Sequence, residues 1–162
     1  MSGSMNEEIE FVKFNPAPKG TSQYTDHKDA FVLSAAQLDH VGAQGAGSGA
    51  KFAPIYFQFK VTRVQASTFN KLVNANDKKV TSLEYTSQHK INGQRKDKMN
   101  VKYEGLTFTS AQIAPIAGEQ DVMLTVAIEY RKRTGKVTDY DAKGNTKGSD
   151  NFNDDLDKGE FK

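Results

Sequence analysis

Hydrophobic and polar positions alternate with a period of two along most of this chain. Ile55, Phe57, Phe59 and Val61 alternate with Tyr56, Gln58, Lys60 and Thr62, which predicts a half-buried strand over Ile55–Arg63. Val122, Leu124, Val126, Ile128 and Tyr130 predict a second, stronger strand within Asp121–Arg131. Its other face, Met123, Thr125, Ala127 and Glu129, is only partly polar, which suits a strand covered on both sides, with another subunit as one source of cover. Shorter stretches of the same kind occur at Ile9–Phe14, with Ile9 and Phe11 on one face, and at Ala30–Leu38, with Phe31, Leu33 and Ala35 together. Val80–Gln88 places Thr81, Leu83 and Tyr85 on one face, and Met99, Val101 and Tyr103 resume the alternation after Asn92-Gly93, a hairpin-type dipeptide. Leu106 and Phe108 then follow one residue out of phase across Gly105, which predicts a β-bulge.

The period changes once. Phe69, Leu72 and Val73 fall at i, i+3 and i+4, predicting a helix over Ser67–Asn76 with Ser67 as N-cap and Asn76 as stop. Its apolar face is narrow, so it should pack against an end or edge of the strands. Val41–Ala50 carries four glycines and reads either as a slack connection or as a loop that orders only against a partner. From Asp139 to Gly159 the chain is rich in Asp, Asn, Gly and Lys, with Tyr140, Phe152 and Leu156 as its few anchors, and reads as an ordered corner followed by a loose tail. The expected organisation is a flexible stretch at 1–8 (Met1–Ser4 being a remnant ahead of a second Met at position 5), one domain over 9–148 and a polar tail at 149–162.

Composition narrows the function more by exclusion than by indication. At 162 residues and 36% hydrophobic the chain has material for one core, and 22 Lys and Arg against 20 Asp and Glu give no strongly basic face for nucleic acid. There is no cysteine, hence no disulfide or thiolate metal site. No basic and apolar leader opens the sequence, and no apolar run is long enough to span a membrane. His27, His40 and His89 stand at no metal-ligand spacing and read as exposed polar residues in turns. Gly47-Ser48-Gly49 lacks the strand and helix of a nucleophile elbow, and the acidic residues after Asp139 miss the spacing of an EF-hand, leaving calcium a weak alternative to a solvated tail. The basic stretch from Lys90 to Lys102 lacks interleaved aromatics and reads as a charged hairpin tip. No catalytic residue, cofactor site or metal site is assigned, and an enzyme is not expected. The fold class is mostly β: a small closed or partly open β-barrel of two packed sheets with one short flanking α-helix.

The order of elements resembles that of the Hcp family, the tube subunits of type VI secretion systems. Four stretches carry the resemblance: His27–Ser34 leading to the glycine loop; Phe57–Arg63 running into Ala66–Ala75; Val101–Gln112 with Leu106-Thr-Phe-Thr-Ser110; and Val122–Tyr130 followed by Asp139–Gly144. It departs from the family pattern at Pro16–Ser22, and the aromatic near the family's C-terminus, often a Trp, is missing. The resemblance implies a structural protein that assembles with itself as a homohexamer, in stacked rings that carry effectors in the lumen. Its partners would be a spike protein, a contractile sheath and the effectors, with no nucleic acid and no membrane insertion. The subunit would be cytoplasmic before assembly and then secreted without a signal peptide. On this reading Gly42, Gln44, Gly45, Gly47, Ser48, Gly49 and Lys51 form a ring-stacking loop, and Ser67, Phe69, Leu72 and Val73 belong to the flanking helix. The alternatives are a phage-like tail-tube protein, which shares the architecture, and a monomeric β-sandwich binding module for a glycan or peptide. The latter would show a concave patch of Tyr56, Tyr85 and Tyr103.

Overall fold

The computed structural model describes residues 8–43, 45, 50–73, 75 and 79–162. Ten antiparallel strands form one continuous hydrogen-bonded order, β10-β9-β8-β5-β4-β1-β2-β3-β7-β6. The strands are β1 (Glu8–Asn15), β2 (Phe31–Gln37), β3 (Ile55–Val61), β4 (Ser82–Ile91), β5 (Gln94–Glu104), β6 (Thr107–Pro115), β7 (Val122–Glu129), β8 (Lys132–Tyr140), β9 (Thr146–Asp155) and β10 (Glu160–Phe161). One α-helix, α1 (Arg63–Leu72), lies between β3 and β4.

The order folds over at a narrow seam. β1 pairs with β4 along eight residues but with β2 only at Phe11↔Val32 and Val12↔Phe31. The six strands on one side of the seam and the four on the other therefore face each other as two sheets. Between them lies one core, with Val12, Phe14, Leu83, Tyr85, Val101 and Tyr103 from the larger sheet meeting Phe57, Phe59, Leu124, Val126 and Ile128 from the smaller. Rings meet across the gap: Phe57 and Tyr85 stack with centroids 6.1 Å apart, and Tyr103 and Tyr130 meet edge to face at 4.7 Å. At the opposite corner the chain crosses between sheets twice, and Arg131 N–H donates to the Glu104 carbonyl at 3.0 Å. The architecture is a partly open barrel of two packed sheets, as the alternation predicts.

Gly105 makes one of those crossings, so the phase slip there is a corner between two strands and not a bulge within one. Its φ is +68°, and an added Cβ would sit 3.0 Å from the Arg131 Cβ, so glycine is required. Register shifts occur elsewhere, among them Leu33/Ala35, which turns Ala36 to the core in place of Ala35. Asn92 and Gly93 both have positive φ (51° and 78°), the geometry of the two-residue hairpin that their identity predicts.

The helix is capped five residues before the predicted N-cap, Ser67. Thr62 caps it: its hydroxyl accepts from the Gln65 N–H at 3.1 Å and the Gln65 side chain accepts from the Thr62 N–H at 3.2 Å, a complete capping box. Ser67 is consequently an exposed mid-helix residue, and Asn76, the expected stop, lies outside the described residues. Phe69 is fully buried and touches Phe14, Phe31, Phe59 and Phe108 at centroid distances of 5.1–6.2 Å, so α1 plugs one end of the core. It packs beside β6 and β7, at the edge of the smaller sheet, as its narrow apolar face requires.

The polar segment 149–162 is not loose. Residues of β9 pair with β8 from Lys132↔Asp155 to Tyr140↔Thr146, and β10 pairs back onto β9. Composition hides this because the ladder is made by the backbone, while three side chains anchor it: Phe152 and Leu156 pack on the core and the Tyr140 hydroxyl donates to the Asp97 carbonyl at 2.8 Å.

Candidate assembly surface

The outward faces of the two sheets differ in chemistry. On the smaller sheet, pairing places Gln37, Tyr56, Ala127 and Ser110 in one row and Ala35, Gln58, Thr125 and Gln112 in the next. None of these eight residues is charged, and Gln58 donates to the Thr125 hydroxyl at 3.3 Å across the strands. A charge pair, Lys60 with Glu119, stands at one end of this face. The outward face of the larger sheet carries Glu84, Lys102, Lys132 and Lys136 around a shallow trough of about 740 Å³. Near β1 that sheet is covered from outside, where Tyr24 and His27 pack over Ile9 and Phe11; the His27 ring stacks on Phe11 at 4.3 Å.

β6 ends the strand order. One of its sides pairs with β7, and no described strand pairs with the other. Its sequence, Thr-Phe-Thr-Ser-Ala-Gln-Ile-Ala-Pro, contains no charge, and Ile113 is 48% exposed. Unpaired N–H and C=O groups along such an edge offer a ready template for another strand.

The residues proposed for the glycine loop divide. Gln44, Gly47, Ser48 and Gly49 lie outside the described residues. Gly42 and Lys51 are exposed, and Gly45 is exposed with φ +94°. The roots of the loop are built firmly. Phe52 is 2% exposed and stacks on Tyr130 at 5.1 Å, while the His40 ring packs on Phe52 at 4.9 Å. Nδ1 of His40 lies 3.0 Å from the Tyr130 hydroxyl and Nε2 lies 3.7 Å from Asp154. Asp154, itself buried, accepts from Arg133 Nε at 2.6 Å. Burial, with Arg133 beside it, holds the His40 imidazole below its usual range, and burial pushes the Tyr130 phenol up to about 12.

Two sequence readings change here. The reading of the histidines as exposed turn residues holds only in part: His40 is an exposed residue outside any strand, yet its ring is tied into this cluster; His27 lies in the one-turn 3-10 helix Thr25–His27, where its ring stacks on Phe11 and lies 2.9 Å from Gln88 Nε2; and His89 belongs to β4. Tyr56, Tyr85 and Tyr103 do not form a patch, because Tyr85 and Tyr103 are 4% and 1% exposed and belong to the core while Tyr56 faces outward. Burial and a hydrogen bond to Glu10 raise the Tyr85 phenol well above its ordinary value. The polar cluster around Asp154 was not foreseen, since its members are 114 positions apart at the extremes, His40 to Asp154, and only the folded ladder brings them together. Among the described residues, no group of three His, Asp or Glu is placed to hold a metal ion.

No protein-family model matches the chain, and no curated protein matches it by sequence. Solved structures match its shape. "Structure of a type six secretion system protein" superposes with a TM-score of 0.72 at 16% identity, covering 96% of this chain and 100% of the other. Hcp1 from Salmonella typhimurium gives 0.68 at 11% identity, covering 96% and 99%. The secreted protein Hcp3 from Pseudomonas aeruginosa gives 0.55 at 13% identity, covering 89% and 97%. With coverage this complete in both directions, the two-sheet barrel and its plugging helix are the fold of the Hcp proteins.

Proposed function

We propose that this protein is the structural subunit of a type VI secretion tube, assembling into hexameric rings that stack and carry effectors. The observation that carries this reading is the four-stranded sheet β2-β3-β7-β6, whose outward face is charge-free across its two central rows, with Lys60 and Glu119 toward one end and Glu129 toward the other, and which ends in an uncharged strand that no described strand pairs on its far side. A ring needs a lateral edge that continues from one subunit to the next and a smooth face turned to the lumen, and this sheet supplies both. Likeness in fold to Hcp proteins supports the same reading. The uncharged face lines the lumen against effector cargo, the glycine loop with Gly42, Gln44, Gly45, Gly47, Ser48, Gly49 and Lys51 contacts the next ring, and spike and sheath are the further partners. The subunit is made in the cytoplasm and leaves with the tube. A monomeric glycan- or peptide-binding module loses its main support with the burial of Tyr85 and Tyr103.

Sedimentation velocity and negative-stain microscopy at high protein concentration test the proposal. Rings with a central hole are expected, and Ile113→Lys, which places a charge on the β6 edge, should leave folded monomers. A wild-type protein that stays monomeric at crystallisation concentrations would overturn it. Deleting Gly42 through Lys51, which stops one residue short of the buried Phe52, should keep rings but weaken their stacking; loss of the fold would refute the assignment of that loop.

A further inference from the structure

The cluster of His40, Phe52, Tyr130, Arg133 and Asp154 closes both roots of the glycine loop onto the barrel. His40 and Phe52 enter from the two sides of segment 41–51, and Tyr130 receives both of them. Phe161 of β10 meets Phe52 edge to face at 6.2 Å, so the last strand covers the same clamp. Of the charged and titratable groups around His40, Arg133 comes from β8, Asp154 from β9 and Tyr130 from just beyond β7. Tyr103 of β5 stands behind Tyr130. Asp39, the next residue along the chain, is engaged by Gln37 Nε2 at 2.9 Å. Lys51 and Glu160 precede Phe52 and Phe161 in sequence.

We infer that this cluster is an acid-released clamp: neutral His40 holds the loop roots in place, and its protonation frees them. The geometry dictates the direction. Nε2 faces the Asp154 carboxylate at 3.7 Å, so we assign the single proton of the neutral ring to Nε2, and on that assignment Nδ1 accepts from the Tyr130 hydroxyl at 3.0 Å. A second proton on Nδ1 removes that acceptor: the Tyr130 O–H must turn away, its oxygen becomes the acceptor, and its own proton is left to find a new partner beside Phe52, which is 2% exposed. The new charge also stands beside the Arg133 guanidinium. Asp154 offers only partial relief, because Arg133 already engages it at 2.6 Å while Nε2 is 3.7 Å away. The folded site therefore binds the second proton less readily than an open chain does. Clamping is complete above the ordinary imidazole value of about 6.5 and is lost as pH falls through the lower value of the folded site. The consequence for ring stacking rests on the tube reading; the clamp itself does not.

A nitroxide label reads the clamp directly, since the chain has no cysteine and Val41→Cys supplies one attachment point beside His40. At subunit concentrations too low for rings, the label's spectrum should report restricted motion at pH 8 and sharpen on acidification, with a midpoint below about 6.5. The same label on Thr68→Cys, mid-helix, should not change. In the His40→Gln background, which keeps a hydrogen-bonding side chain that does not titrate, the Val41→Cys spectrum should be the same from pH 8 to pH 5. A spectrum without pH dependence in the wild-type background, or one whose transition persists in His40→Gln, would overturn the inference. Proton NMR gives an independent check on the unlabelled protein: the histidine resonance missing in His40→Gln must titrate below the ordinary imidazole value of about 6.5, and a titration at or above that value also refutes it. Because both readouts use the dilute subunit, they can fail while rings form, or succeed where no ring exists.

Discussion

Replacing Gly135 by alanine tests how β8 and β9 are held together. Gly135 pairs with Phe152 in the ladder, and the Phe152 ring lies across it so closely that a methyl group there would overlap the ring. The Arg133 guanidinium lies over the ring at 4.4 Å, and the ring packs on the core, so it has little room to retreat. Forcing extra volume into such a contact costs roughly 1–3 kcal/mol, against roughly 0.5–1 kcal/mol returned by removing a glycine from a strand. The net loss is then about 1–2 kcal/mol. With a urea dependence of about 2 kcal/mol/M, the unfolding midpoint should fall by about 0.5–1 M. In a Phe152→Ala background the added methyl enters vacated space, and Gly135→Ala should be neutral or slightly stabilising. Urea titrations of the four proteins, followed by circular dichroism, close the cycle, and a coupling of about 1–3 kcal/mol, the overpacking cost alone, is expected. Equal costs in the two backgrounds, or a stabilising effect in the wild type, would refute the account of Gly135 as the floor under Phe152.

Other outcomes follow from the same structure. Phe69→Ala, which empties the site where α1 meets four other phenylalanines, should cost about 3–5 kcal/mol in urea unfolding, whereas Phe69→Leu should cost no more than about 1.5 kcal/mol. Thr62→Ala should remove about 1 kcal/mol and fray the first turn of α1, seen as faster amide exchange at Gln65 and Ala66, whose N–H groups bond to the Thr62 hydroxyl and carbonyl. Val126→Asp buries a carboxylate without a partner at a position 0% exposed and should leave no cooperative unfolding transition.

The alternation at Ile55–Arg63 and Asp121–Arg131 was enough to place β3 and β7, because each turns one face wholly inward and period-two burial is what a sequence displays most directly. The helix start was also legible but was read from the wrong cue. Phe69, Leu72 and Val73 locate the apolar face, while the Thr62-x-x-Gln65 capping box, present in the sequence, marks the true beginning. β9 was hidden for a different reason. Its residues Thr146–Asn151 face solvent on both sides, and only Phe152 binds them to the core, so no hydrophobic pattern announces the strand. The cluster around His40 had no local signal at all, since Tyr130, Arg133 and Asp154 meet His40 only after β7, β8 and β9 have paired. The three tyrosines show the converse error: Tyr85 and Tyr103 share the inward face with Leu83 and Val101, and the alternation itself already placed them in the core.

The charge-free edge of β6 also governs how the free subunit behaves before it has a neighbour. Nine residues from Thr107 to Pro115 expose an open ladder with no lysine or glutamate to repel an incorrect strand, and Pro115 alone blunts one end. Such a subunit has a short safe lifetime in isolation: as its concentration rises, pairing with any exposed strand competes with pairing to its own kind. If the subunit closes into the rings proposed above, closure through β6 would remove this edge from every subunit at once, and assembly would then also protect against aggregation.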